Sequence, residues 1–245
     1  MELTAPRAIL LDLDDTILAF EALKEKCWNN VAVTYTSSLG GVPPADFVRT
    51  VLKHSEWFWS DASRGREWRQ DLSAARLKIL AMAMKGLGIF NEAACESIAS
   101  TYSKMRTEMI EPIPGAIDTL VTLKGKGMRT ALITNGSSES QRQKIERFGL
   151  EKHFDEILIE GEQGYGKPDE RIYRKALSSL GVEAEESWMV GDNIVWDVLA
   201  PQKLGVRGVW VDYRKQGFRS RNGNRPFLSI HTLPEIIGHL DRAKI

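Results

Sequence analysis

Only two cysteines, Cys27 and Cys95, occur in 245 residues, far apart and outside any C-x-x-C spacing. A disulfide framework or a zinc site is therefore not expected, and both read as buried thiols in a reducing cytoplasm. Net charge is absent as well: 33 Lys+Arg balance 33 Asp+Glu, with a pI near 6.9. No basic excess points to a nucleic acid polymer or an anionic membrane. No apolar run approaches the ~20 residues of a membrane helix. Asp12, Asp14 and Asp15 interrupt the place where the apolar stretch of a signal peptide would lie, so none is expected. Internal repeats and low-complexity tracts are missing. Gly161, Gly164 and Gly166 have the wrong spacing for a dinucleotide fingerprint. What remains is an ordinary globular composition, 42% hydrophobic, enough for one large domain or two modest ones.

Against these absences stands Ala8-Ile9-Leu10-Leu11-Asp12-Leu13-Asp14-Asp15-Thr16. Four consecutive apolar residues suit a central parallel strand covered on both faces. Parallel α/β sheets do their chemistry at the carboxyl ends of strands, where Asp12 and Asp14 fall. If the chain stays extended, residues two apart point to one side, about 6–7 Å from each other. A phosphoryl group or a metal ion fits beside such a pair. An acidic, solvated turn is the alternative.

From Ile17 to Ile110 the sequence reads as almost wholly helical. Pro43-Pro44 breaks it before a helix over 45–60, and Arg64-Gly65-Arg66 reads as a loop. Leu72, Ala75, Ile79 and Met82 form a helical stripe. Asn91 suits the N-cap of a last helix toward Met109. The prolines of Glu111-Pro112-Ile113-Pro114-Gly115 end the block. A crossover between parallel strands needs only a dozen or so residues, so this insertion reads as a separate helical domain.

Strands and helices then alternate, as in a parallel sheet. Strands are expected over 129–134, 156–159, 188–190, 207–211 and 228–230. Helices are expected over 116–124, 138–147, 169–180 and 194–204, with a last one from Pro234. Gly149, Gly181 and Gly205 follow helices as C-terminal caps do. The polar stretch 216–225 reads as a mobile surface loop.

Three more strand ends carry chemistry. Thr134-Asn135-Gly136 precedes Ser138-x-x-Gln141, which matches a capping box. A hydroxyl, a side-chain amide and a helix N-terminus together make an anion site, although Thr-Asn-Gly is also a common turn. In Gly166-Lys167-Pro168-Asp169, proline suits a first helical position. Lys167 is either a fixed positive charge over the sheet end or a solvated lysine. Gly191-Asp192-Asn193 follows another apolar strand and leads to Asp197 in the first turns of the next helix. There Asp197 either serves the site or simply complements the helix N-terminus.

In this order, Asp12-x-Asp14-x-Thr16, Thr134-Asn135, Lys167-Pro168 and Gly191-Asp192-x-x-x-x-Asp197 resemble the motifs of the haloacid dehalogenase-like hydrolase superfamily. The sequence is most similar to its phosphatase branch with a helical cap inserted after the first motif. More loosely, it is similar to pyrimidine nucleotidases and acylneuraminate phosphatases. The resemblance implies a doubly wound, Rossmann-like parallel sheet core (1–17 and 112–245) with an inserted all-helical cap domain (18–111). It implies a cytoplasmic, Mg²⁺-dependent phosphatase acting on a small phosphate ester such as a nucleotide or sugar phosphate. Asp12 would be the nucleophile that becomes phosphorylated, and Asp14 the general acid and base. The carboxylates of Asp12 and Asp192 and the backbone carbonyl of Asp14 would hold Mg²⁺. Asp197 and Asn193 would orient that set, while Thr134, Asn135 and Lys167 would bind the phosphoryl oxygens.

Other readings stay open. A phosphomutase shares all four motifs. A 2-haloacid dehalogenase also uses an aspartate nucleophile but needs no acid two residues on. A phospho-accepting or binding protein without turnover would keep acidic strand ends and a lysine, yet a receiver module would lack the long helical insertion. Substrate choice must come from outside these motifs. In the helical block, Trp57, Arg64 and Arg66 are candidates, with Trp28, Trp59, Trp68 and Arg69 near them. Aromatic faces and guanidinium groups suit sugars, bases and anions; alternatively the tryptophans form the block's own core and the arginines its rim. Oligomeric state has no signature in the sequence.

Overall fold

The computed structural model describes residues 5–218 and 225–243. The chain forms two compact units, one built from the residues up to Ala19 and from Glu111 onward, the other from Phe20–Ile110.

The first unit is a six-stranded sheet ordered β3-β2-β1-β4-β5-β6. Its strands are β1 Ala8–Leu11, β2 Arg129–Thr134, β3 Glu156–Ile159, β4 Ser187–Gly191, β5 Arg207–Val211 and β6 Leu228–Ile230. All pairings are parallel, with Leu10 opposite Ala131 on one side and Met189 on the other. β1 is wholly buried, as its unbroken apolar run requires. Ala8 and Leu10 pack with Ala131, Ile133 and Leu158 against Ile172, Tyr173 and Ala176 of a helix over Glu170–Leu180. Burying each leucine or isoleucine side chain among them contributes about 1.5–3 kcal/mol. Helices Ala116–Gly125 and Glu235–Arg242 contact each other, the former also lying against β2. The strand order reverses direction beside β1, the topological position at which open α/β sheets bind ligands.

Local signals set most of these elements. Asp169 caps the Glu170–Leu180 helix by accepting from Arg171 N at 3.0 Å, and Gly181 ends it with φ 60°. Because Asp169 is the cap, Pro168 lies before the helix and not at its first position. The single helix expected over 194–204 is instead a wide π-type turn, Ile194–Leu199, followed by the short helix Ala200–Gln202. Pro201 has no N–H to give to the Asp197 carbonyl, so an unbroken α-helix cannot pass. The loop expected over 216–225 lies partly outside the described residues; at its start, Asp212 accepts from Gln216 N and Gly217 N.

The second unit packs helices Lys24–Thr34, Pro44–Ser60, Ala62–Trp68, Leu72–Gly86 and Glu92–Met109 around one apolar cluster. Trp28 stacks on Tyr102 at 3.8 Å between ring centroids and meets Phe47 edge-on. Asn91 caps the last helix through Ala94 N at 3.0 Å. The expected stripe is only partly right: Ala75 and Ile79 are buried, whereas Leu72 and Met82 are marginal and Leu80, Ala83 and Met84 complete the buried face. The loop expected at Arg64-Gly65-Arg66 is helical. Asp61 caps that helix through Arg64 N at 2.7 Å, and the Arg64 guanidinium bonds the carbonyls of Trp57 and Phe58. Both cysteines are free and buried, and burial raises both thiols above their ordinary value.

Candidate active site

Asp12 stands one residue past β1, its backbone N–H still donating to Val190 O at 2.9 Å. Its Oδ1 accepts from Lys167 Nζ at 2.6 Å and its Oδ2 from Thr16 Oγ1 at 3.3 Å. Lys167 also donates to Asp197 Oδ1 at 2.6 Å, and the lysine is 1% exposed, so it is no solvated side chain. Asn135 fixes that lysine from the end of β2. Its side chain accepts from Lys167 N at 2.8 Å and donates to Lys167 O at 2.7 Å. The side-chain amide expected to face an anion is therefore spent on orienting Lys167. Gly166 permits the approach, since a Cβ there would meet the side chains of Asn135 and Glu160.

Asp197 is completely buried and both its oxygens are engaged, Oδ1 by Lys167 and Oδ2 by Asn193 N at 3.0 Å. Glycine at 191 leaves room for that carboxylate, which a Cβ would strike. The Asn193 side chain accepts from Val195 N and Trp196 N, both at 3.1 Å, and so shapes the turn that carries Asp197. Trp210 Nε1 holds the Asp192 carbonyl at 2.9 Å.

Carboxylate oxygens of Asp12, Asp192 and Asp197 lie within 4.8 Å of one another. Burial, outweighing Lys167 and helped by Asp197, pushes Asp12 up to about 7. Burial together with Asp12, Asp197 and Asp15 pushes Asp192 up to about 9. Lys167 is raised, because the two carboxylates it touches outweigh its desolvation. One lysine facing three carboxylates leaves an excess of negative charge lined by hard oxygens, which suits a divalent cation of the magnesium type. Asp12, Asp192 and Asp197 each offer a carboxylate oxygen to such an ion, with Asp197 the deepest buried of the three.

Asp14 does not join that cluster. Asp14 still makes a β-bridge with Leu18, and the chain turns at Asp15, which adopts φ 60° and donates to Leu18 O at 2.7 Å. The Asp14 carboxylate then accepts from Lys144 Nζ at 2.7 and 2.8 Å and from Gln141 Nε2 at 3.2 Å. Gln141 also donates to Thr134 Oγ1 at the end of β2. The expected capping box is absent, because Ser137 caps helix Ser138–Arg147 through Ser140 N and leaves Gln141 for the site.

The description haloacid dehalogenase-like hydrolase belongs to a family model that matches residues 6–205. The chain belongs to this family. A phosphoserine phosphatase of Thermus thermophilus is 39% identical over 137 residues, covering 56% of this chain and 54% of that one. Here, as with the glyceraldehyde 3-phosphate phosphatase of Pyrococcus furiosus, of which 48% is covered, the chain spans about half the relative's length. A pyrimidine 5'-nucleotidase of Escherichia coli is 27% identical over 234 residues, covering 93% of this chain and 95% of that one. Among solved structures, a HAD-hydrolase of Bacillus subtilis bound to magnesium superimposes with a TM-score of 0.76, at 21% identity over 97% of this chain and 100% of that one.

In this hydrolase Lys144 and Gln141 were not legible as site residues by motif. A signal existed: helix Ser138–Arg147 has Ile145 as its sole apolar residue, yet Gln141 and Lys144, three apart on one face, are 2% and 6% exposed. The helical unit offers less than its composition suggests. Trp28 is core and Trp59 and Trp68 pack against it, whereas Trp57 is 54% exposed with the Arg64 guanidinium 4.1 Å over its ring. Arg64 is occupied by main-chain carbonyls, and Arg66 is exposed.

Proposed function

We propose that this hydrolase is a Mg²⁺-dependent phosphatase of small phosphate monoesters, working through an aspartyl-phosphate on Asp12. The observation that carries the reading is the Asp12–Lys167–Asp197 chain of 2.6 Å contacts beside a separately anchored Asp14. A buried cation next to the nucleophile stabilises charge on the transferring phosphoryl group. Asp12 attacks phosphorus, the bond to the leaving oxygen breaks, and Asp14 gives that oxygen a proton. Asp14 then takes a proton from water as the water oxygen attacks the phosphoaspartate, releasing inorganic phosphate and restoring Asp12. Thr134 and the Asn135 backbone amide complete the phosphoryl cradle with Lys167. Asp12, Asp192 and the Asp14 backbone carbonyl would hold Mg²⁺, which would supply charge neutralisation at the site.

The unit Phe20–Ile110 is assigned the role of cap, the part that selects the leaving group. The named activities of the relatives favour phosphorylated metabolites such as a phosphoamino acid, a sugar phosphate or a pyrimidine nucleotide. The reduced cysteines fit a cytoplasmic setting. A panel of phosphomonoesters assayed with and without Mg²⁺ tests the reading. Turnover that needs the metal and vanishes in Asp12→Asn is expected; metal-independent turnover, or an active Asp12→Asn protein, would overturn it.

A further inference from the structure

Outside the strand-end site, the helical unit gathers a second set of charges that packing does not explain. Arg106, on the last helix, is 3% exposed. It bonds the Tyr102 hydroxyl, Phe20 O at 3.0 Å and Glu21 Oε1 at 3.2 Å, but its Nε has no partner. Arg76, half-buried on a different helix, donates no hydrogen bond among the described residues; its guanidinium lies 5.6 Å from the Tyr102 ring, and that of Arg106 lies 5.8 Å from the same ring. Among the described residues Glu21 is the carboxylate paired with Arg106, and it is shared with Lys24 at 3.0 Å. Among the described residues Arg76, Arg106 and Lys24 thus gather around Glu21. Burial and the charge of Arg106 hold the Arg76 guanidinium down, with Tyr102 and Glu21 opposing.

The buried Nε of Arg106 and the half-buried guanidinium of Arg76 lack an acceptor among the described residues, which is costly unless something supplies one. Guanidinium forks match planar oxyanions in a bidentate way. Here the forks lie beside flat aromatic walls, with Arg106 4.1 Å over the Phe20 ring. A planar anion suits guanidinium groups set against flat rings better than a tetrahedral one. We propose that Arg76 and Arg106 form a carboxylate-binding site within the helical unit, with Arg76 at its mouth and Arg106 at its base.

The test uses the full chain and malonate as probe, with the uncharged malonamide as control, followed by calorimetric titration. Saturable malonate binding, weakened at least tenfold in Arg76→Ala and unchanged in the surface variant Arg49→Ala, is expected; malonamide should not bind. Arg106→Lys, which keeps the charge but loses the fork, should weaken binding as well, with far-UV circular dichroism verifying the fold of each variant. A second arm locates the carboxylate. A preference for phosphoglycolate over 2-hydroxyethyl phosphate that Arg76→Ala abolishes places it on the substrate. No such preference, with malonate altering hydrolysis of an aryl phosphate in wild type alone, makes it a free ligand. Absent malonate binding, or binding indifferent to Arg76→Ala, overturns the site. A protein that binds malonate but hydrolyses no phosphate ester refutes the phosphatase reading and leaves the carboxylate site standing.

Discussion

The strand-end site and the helical unit hold their polar groups by different means. In the site, buried charges meet across long stretches of chain: Lys167 is 155 residues from Asp12, and Lys144 is 130 from Asp14. In the helical unit, Asp61, Asp71 and Asn91 each cap the backbone three residues on, and apart from the buried Arg106–Glu21 pair an apolar cluster supplies most of the rest. Distant buried ion pairs place reacting groups but lose much when halved. Local caps are cheap, independent and silent in chemistry. Substitutions in the first region should therefore strike activity foremost, and those in the second should strike stability.

The largest effect expected is from Asp12→Asn, which removes the nucleophile's charge and should bring turnover of an aryl phosphate to background. Asp14→Asn should lower turnover by ~10²–10⁴-fold, the usual worth of general acid–base help, with the phosphorylated protein accumulating on quenched gels. A wild-type rate for either variant would break the division of roles between the two aspartates.

Lys167→Ala sharpens the comparison by touching both properties. It leaves Asp12 and Asp197 buried without their cation, so activity should fall and stability should drop by about 3–5 kcal/mol. Denaturant titration in parallel with steady-state kinetics checks both. Should Mg²⁺ restore part of that stability in the variant, the excess negative charge is the cause.

Lys144→Met should reduce kcat by ~10–100-fold, as loss of an orienting partner does, with circular dichroism unchanged and a smaller fall in the denaturation midpoint than in Lys167→Ala, because Asp14 keeps a quarter of its side chain exposed. Equal losses in kcat and in stability would reduce Lys144 to a structural role. By contrast, Asn91→Ala in the helical unit should cost about 1 kcal/mol of stability and leave kcat alone. Smallest of all, Arg66→Ala should alter neither, because its side chain is exposed and exposed charges contribute little. A raised KM in that variant for a natural substrate, but not for an aryl phosphate, would return Arg66 to substrate selection.

The amino-acid sequence alone determined the sheet and most of its punctuation. Strands 129–134, 156–159, 207–211 and 228–230 run where their apolar runs and flanking glycines put them, since strand and cap preferences act within a few residues. Asn91 and Gly181 do their work locally too. Only the tertiary structure decided which side chain each charge meets. Nothing near Ser138-x-x-Gln141 indicates that Ser137 takes the cap and frees Gln141 for Thr134 and Asp14. Nor does the stretch around Lys167 indicate that Asn135 clamps its backbone while two carboxylates hold its ammonium. The contacts of Gln141 with Asp14 and of Lys167 with Asn135, Asp12 and Asp197 join residues 30 to 155 positions apart, so they exist only once strand order and burial have brought the ends of β1, β2 and β4 together. A lysine or a carboxylate acquires its role from the partners and the dielectric around it, and neither is a property of the local sequence.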